Sequence, residues 1–246
     1  MNVFITGGSR GIGASLVKAL SGAGHNVAFT YQTAKDKADA VIDAALQQAS
    51  AQKCMAWQLD VKSPEQVEAV GDAVLDAFDS IDVVINNAAI VRIGMAATLP
   101  DEDWGDVIDT NLSGPFYVSR FFLNEFIING TGRFIHISSV ARSGLNGQVA
   151  YCASKAGLDG LSTALAKEYG RKNITSNVIS LGFFETDMTE QDMSATRVKF
   201  WDEFCPAGRM GHLSEVAQAV LYLMSDGAGF VNGQVLNLTG GMDWVT

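Results

Sequence analysis

An alternation constrains this chain more than any other feature. Short runs rich in Val, Ile and Phe occur near residues 2–6, 26–31, 54–59, 82–86, 132–138, 174–180 and 234–238, with longer helix-like segments between them. Most of the short runs are apolar throughout, the pattern of strands covered on both faces. The intervening segments repeat at the helical period: Ile12, Leu16 and Leu20 fall at i, i+4 and i+8, and the pattern stops at Gly22 and Gly24. Ser63-Pro64-Glu65-Gln66 reads as an N-cap, a proline at the first helical position and a glutamine at the third. Strands separated by helices imply right-handed crossovers, so the expected fold is α/β, a doubly wound parallel sheet of about seven strands with helices on both faces. The 246 residues contain no repeat, low-complexity tract or linker, and the chain reads as a single domain over 1–246.

Composition excludes several classes. Seventeen Lys and Arg against 27 Asp and Glu leave a net charge of −10, which argues against binding nucleic acid or an anionic membrane surface. No apolar run approaches the ~18 residues of a membrane span, and Met1-Asn2-Val3-Phe4-Ile5 leads straight into a strand without a charged leader, so a cytoplasmic protein is expected. Cys54, Cys152 and Cys205 are far apart and form no CxxC, and His25, His136 and His212 lack metal-ligand spacing. Reduced thiols and no bound metal are expected. The sequons at Asn111, Asn129, Asn173 and Asn237 read as chance matches.

Directly after the first strand comes Thr6-Gly7-Gly8-Ser9-Arg10-Gly11-Ile12-Gly13. Glycines there let the backbone turn sharply and approach a pyrophosphate, whose charge the following helix N-terminus stabilises. A fold of this kind that prefers NAD carries an acidic residue near the end of its second strand, to bind the ribose 2′-hydroxyl. Here that stretch is Thr30-Tyr31-Gln32-Thr33-Ala34-Lys35, without a carboxylate, and residues 1–35 carry Arg10, Lys18 and Lys35 with no acidic residue at all. NADP(H) is the expected cofactor, with Gln32 and Thr33 available to its 2′-phosphate.

Tyr151 and Lys155 stand four apart in a helical segment, which puts both on one face. A phenol titrates near ~10, and an adjacent ammonium favours its ionised form and draws it toward the working range of an acid or base. The glycine loop, Asn86-Asn87-Ala88-Ala89, Asn111, Ser138-Ser139 and the Tyr151–Lys155 pair follow one another in order. Together they resemble the short-chain dehydrogenase/reductases, whose motifs are TGxxxGxG, NNAG, a helix Asn, a Ser and YxxxK. The likeness spans essentially the whole chain. Within that family it is nearest the 3-oxoacyl-[acyl-carrier-protein] reductases of fatty acid or polyketide biosynthesis, through Gly182-Phe183-Phe184-Glu185-Thr186-Asp187-Met188-Thr189, Pro206-Ala207-Gly208-Arg209 and Gly240-Gly241-Met242.

The resemblance implies a Rossmann domain in which Tyr151 protonates a carbonyl oxygen as a hydride arrives from the nicotinamide. It makes Lys155 the partner of the nicotinamide ribose and of the phenol, Ser139 the holder of the substrate oxygen, and Asn111 the anchor of a water leading to Lys155. It assigns Gly7, Ser9, Arg10, Gly11, Ile12 and Gly13 to the diphosphate and adenosine ribose, Asp60 and Val61 to the adenine, Asn86 to the ribose side and Thr186 to the carboxamide. Three departures stand out. Leu181-Gly182 replaces the usual Pro-Gly, Ala89 replaces a Gly, and a shortened loop lets Ser138 compete with Ser139 for the catalytic position.

Residues 183–210 are rich in Phe, Met and Trp, an expected lid over an acyl chain or another hydrophobic ketone. If a carrier protein presents that chain, Lys167, Arg171 and Lys172 are candidate docking cations; a solvated helix end explains them equally well. The segment Phe116–Ile128 is apolar around much of its circumference, which suggests burial between subunits, and the resemblance implies a homotetramer. Alcohol, sugar or steroid dehydrogenation is the alternative activity, and a non-catalytic dinucleotide-binding protein the alternative class.

Overall fold

In the computed structural model residues 1–48, 53–184 and 203–242 are described. Seven strands form one sheet: β1 (Asn2–Ile5), β2 (Asn26–Tyr31), β3 (Cys54–Gln58), β4 (Val83–Asn86), β5 (Gly132–Ser139), β6 (Ile174–Leu181) and β7 (Val235–Leu238). Every pairing is parallel and the order is β3-β2-β1-β4-β5-β6-β7. The helices between them are α1 (Gly11–Gly22), α2 (Lys35–Gln48), α3 (Pro64–Phe78), α4 (Asp101–Ile108), α5 (Gly114–Asn129), α6 (Val149–Tyr169) and α7 (Leu213–Met224).

The two-residue period of the strands sorts side chains into two cores. In β1, Val3 and Ile5 join Leu16, Leu20 and Val220 beneath α1 and α7, while Phe4 between them joins Val74, Phe122 and Phe126 beneath α3 and α5. Burial on both faces is why these strands lack polar alternation. On the second face aromatic rings carry much of the packing, with Phe4–Phe122 and Phe126–Phe134 centroids both 4.8 Å apart. In α5, Val118, Phe122, Leu123 and Phe126 are used inside the chain, and only Phe116 and Ile128 of its large apolar residues stay exposed.

Where strand order reverses, between β1 and β4, neighbouring crossovers leave on opposite faces and open a crevice at the carboxyl edge. The linker entering α3 forms one wall. The Gln66 amide donates to Ser63 Oγ at 3.2 Å, as the capping pattern requires. The Gln66 side chain instead accepts from the Asp60 amide at 3.1 Å, which fastens the Asp60-Val61 turn rather than closing the box. Leu181, in place of the usual proline, stays in register with β7, and the Gly182 amide donates to the Leu238 carbonyl at 2.9 Å, so the turn is tied down.

Candidate active site

A cleft of about 540 Å³ lies at this edge. Its floor is the glycine loop. Gly7 and Gly11 adopt φ of +69° and +54°, where a side chain is strained. Gly13 allows close approach: a Cβ there would stand 2.1 Å from the Gly7 carbonyl oxygen. The cap position before α1 holds Arg10, whose side chain caps nothing, so the first turn offers its amides to a ligand. The cleft lining includes Gly7, Ser9, Arg10, Gly11, Ile12 and Gly13, and on its walls Gln32, Asp60 and Val61.

Two members of the predicted set are turned elsewhere. Asn86 follows Val84 at strand spacing, so its side chain enters the α5 face of the sheet. There its Nδ2 donates to Ser119 Oγ at 3.1 Å and lies 3.2 Å from His136 Nδ1. The cleft is lined instead by Asn87 and Ala88. Asn87 stitches β4 to the glycine loop, donating from Nδ2 to the Thr6 and Gly7 carbonyls at 3.0 Å each. Asn111 sits in a π turn, Asp109–Ser113, and does not line the cleft. It accepts from the Ile90 amide and donates to the Ile90 carbonyl, both at 2.8 Å, and donates to Ser154 Oγ at 3.2 Å. Both its amide protons are committed, so the side chain braces the cleft wall against α6. Thr186 lies outside the described residues, as does most of the expected lid. Phe184 is buried in the first core, and Phe183 packs beside Cys205 and Met242.

The opposite wall brings together the residues expected to act on a substrate. Tyr151 and Lys155 enter from the first turns of α6, and Ser138 and Ser139 from the end of β5. Strand alternation separates the two serines. Ser138 donates to the Lys155 carbonyl at 3.0 Å, beneath α6, whereas Ser139 hydrogen-bonds the Tyr151 phenol. Lys155 is 3% exposed and donates from Nζ to the Ile137 carbonyl at 2.7 Å. Burial pushes its pKa down to about 8. Tyr151 keeps some exposed surface, yet burial of the phenol pushes its pKa up to about 12, against the opposing pull of the Ser139 hydrogen bond. The sequence led us to expect a lowered phenol. Desolvation reverses that direction, because the Lys155 ammonium is directed at the Ile137 carbonyl, 5.5 Å from the Tyr151 ring centroid. At neutral pH the pair is therefore a protonated phenol beside an ammonium that releases its proton readily.

Sequence reasoning missed Lys37, which lines the cleft near Gln32, while Thr33 does not. Lys35 pairs with Asp39 at 2.7 Å on the outer face of α2. The helical turn decides which of the two lysines faces inward. His136 was also passed over. It is fully buried between Asn86 and Ser176, with its pKa pushed down to about 3 by burial and then by the Lys155 charge, so it is a neutral brace. The carrier-docking candidates fare differently. Lys167 is 16 residues past Tyr151 on α6, about 24 Å away at the helical rise, toward the far edge of the sheet.

A family model described as enoyl-(acyl carrier protein) reductase matches residues 7–243. The 3-oxoacyl-[acyl-carrier-protein] reductase of Haemophilus influenzae is 37% identical over 240 residues, covering 97% of this chain and 96% of that one. The chain belongs to the short-chain dehydrogenase/reductase family. The 3-oxoacyl-[acyl-carrier-protein] reductase of Escherichia coli is 38% identical, covering 97% of this chain and 95% of its own. Among solved structures, levodione reductase superposes with a TM-score of 0.92 at 29% identity, covering 98% of this chain and 96% of that one. A Serratia marcescens short-chain dehydrogenase/reductase mutant gives 0.90 at 30%, covering 98% of this chain and 97% of that one. As a member of this family the chain is an oxidoreductase acting on CH–OH groups with a nicotinamide dinucleotide. Among the described residues no helix is long and apolar enough to cross a membrane and no His, Cys, Asp and Glu cluster could hold a metal.

Proposed function

We propose that this short-chain dehydrogenase/reductase reduces 3-oxoacyl thioesters to 3-hydroxyacyl thioesters with NADPH. The observation that carries the reading is one cleft joining the glycine loop to Tyr151, Ser139 and Lys155 at the reversal point of the sheet. The loop residues Gly7 through Gly13 would hold the diphosphate against the α1 N-terminus, with Asp60 and Val61 at the adenine. When bound, the dinucleotide supplies a hydride. Arg10 and Lys37 line the same end of the cleft, and no carboxylate follows β2 before Asp36, which favours a ribose 2′-phosphate.

Tyr151 then delivers the proton to the carbonyl oxygen. Its raised pKa keeps the phenol protonated at working pH, and the difficulty falls on the phenolate left behind. Lys155, poised near 8, is the group placed to stabilise and reprotonate it. Ser139 holds the carbonyl oxygen beside the phenol. Support for the thioester comes from the two acyl-carrier-protein reductase relatives. The distance of Lys167 from the cleft favours a coenzyme A thioester over a carrier-bound one within this reading, and the levodione reductase likeness supports the second reading, a dehydrogenase of the same family acting on a free alcohol or ketone. The exposed Phe116 and Ile128 of α5 support the proposed homotetramer, and three free thiols suit the cytoplasm. The test is NADPH oxidation with acetoacetyl thioesters and free ketones, with Tyr151→Phe in parallel. Tyr151→Phe should lose ~10²-fold or more of the rate. Turnover of no carbonyl, or full activity in Tyr151→Phe, overturns the reading.

A further inference from the structure

Tyr151, Lys155 and Asp159 occupy i, i+4 and i+8 of α6, so they form one stripe down the helix. The first two reach the cleft. The third does not line it and is joined to a different element, its Oδ2 lying 2.6 Å from Arg142 Nη1. Arg142 belongs to the 3-10 turn Val140–Ser143, which follows directly on Ser139, the last residue of β5. Ser139 is the turn's cap: it is extended, at φ −147° and ψ 153°, and its Oγ accepts from the Ala141 amide at 3.1 Å. The chain thus closes a short circuit from Ser139 through Arg142 and Asp159 to α6 and back to Tyr151.

This ion pair differs from the others among the described residues. Its two side chains are 26% and 27% exposed, the lowest of the set, against 49% and 44% for Arg209–Glu215 and 65% and 51% for Lys35–Asp39. Water screens those outer pairs and leaves them little net effect, whereas a half-enclosed pair holds its geometry. Asp159 Oδ1 is buried with no hydrogen-bond partner, so the carboxylate has given up solvation on one side while Oδ2 meets the guanidinium. Burial also holds the Asp159 carboxyl above its usual range despite Arg142. A carboxylate placed at a desolvation penalty needs its cation, and losing that cation leaves it driven to move toward water.

The flanks of the turn show what the clamp has to control. Gly144, just past the turn, adopts φ +113° with nothing within 4 Å of a notional Cβ, so no side-chain packing holds the loop there. Beyond it the Leu145 amide meets Cys152 Sγ at 3.1 Å, fastening the loop's far side to α6. Between β5 and Gly144 the described polar side-chain tie from the turn to α6 is Arg142 to Asp159, beside the buried Val140 and Ala141.

We propose that the Arg142–Asp159 ion pair is a positioning device for the reaction, holding the turn that Ser139 caps against α6 and so keeping Ser139 in register with Tyr151. The role rests on the reading of Ser139 as the holder of the substrate oxygen. Neither Arg142 nor Asp159 touches the reacting atoms. Their effect is on geometry, and small displacements of a reacting group weigh heavily on rate.

The test uses the full-length enzyme with NADPH and acetoacetyl-coenzyme A, comparing wild type with Arg142→Gln, Asp159→Asn and Arg142→Lys. The two charge-removing variants should lose about tenfold in kcat, with the KM for NADPH within about twofold of wild type. Arg142→Lys, which keeps the charge, should recover most of the rate. Hydrogen exchange at the 140–144 amides should quicken in the first two variants and stay near wild type in the third. Unchanged kcat in both charge-removing variants overturns the proposal. So does a parallel fall in kcat, NADPH affinity and thermal midpoint, which marks a merely structural pair. Should Asp159→Asn fail to fold, the two Arg142 variants decide. A wild-type enzyme inert toward every ketone would sink the functional reading instead, and unchanged exchange in the 140–144 segment would then sink the clamp as well.

Discussion

Replacing Gly13 with alanine puts the close packing of the glycine loop to a quantitative test. The added Cβ would lie 2.1 Å from the Gly7 carbonyl oxygen and 2.7 Å from Asn87 Nδ2, where ordinary contact begins at 3.4 Å. Gly7 must therefore retreat by about 1.3 Å (3.4 − 2.1). It has little freedom to do so: its carbonyl accepts from Asn87 at 3.0 Å and its φ is +69°. Overpacking of this kind costs ~1–3 kcal/mol, and loss of the Asn87 hydrogen bond adds about 1 kcal/mol. Against this, alanine gains up to about 1 kcal/mol in helix propensity. The clash wins, by about 1–3 kcal/mol net. At roughly 2–4 °C per kcal/mol for a chain of this size, the thermal midpoint should fall by about 2–12 °C. NADPH affinity, read by fluorescence titration, should weaken at least about tenfold, because the displaced carbonyl belongs to the loop that would face the diphosphate. Gly105→Ala in α4 is the matched control. Nothing lies within 4 Å of its Cβ, so there the propensity term acts alone and the midpoint should rise slightly. An unchanged midpoint with NADPH affinity within about twofold of wild type in Gly13→Ala would refute the packing argument.

Two further outcomes follow from the site's charges. Lys155 is held near 8 in the fold against 10.5 for the free side chain, so the unfolded chain binds the extra proton between those values. Stability contributed through this group is lowest below pH 8 and rises toward pH 10.5; the gain, on the order of 3 kcal/mol, should appear as the difference between wild type and Lys155→Met in chemical denaturation from pH 7 to 10, and a flat difference would disprove it. Lys37→Glu should raise the KM for NADPH by roughly tenfold or more through lost attraction to the 2′-phosphate, with the KM for NADH little changed; equal effects on both cofactors would refute the assignment.

Much of this molecule was written in local pattern. Apolar runs of strand length between helical repeats specify strands sheathed on both faces, because only a sheet covered by helices can bury Val3, Phe4 and Ile5 together. The four-residue spacing of Tyr151 and Lys155, and the glycines after β1, are statements about backbone geometry over one or two turns, which neighbouring residues impose by themselves. What the tertiary structure alone decided is direction and environment. Whether Asn86 or Asn87 faces the cleft depends on the register of β4 against β1 and α5. Lys37 rather than Lys35 faces inward because of how α2 sits on the sheet. Asn111 became a brace through a π turn that residue types do not announce. The phenol rose in pKa instead of falling because desolvation sums over all the protein around a group, and that sum exists only once distant segments have closed upon it.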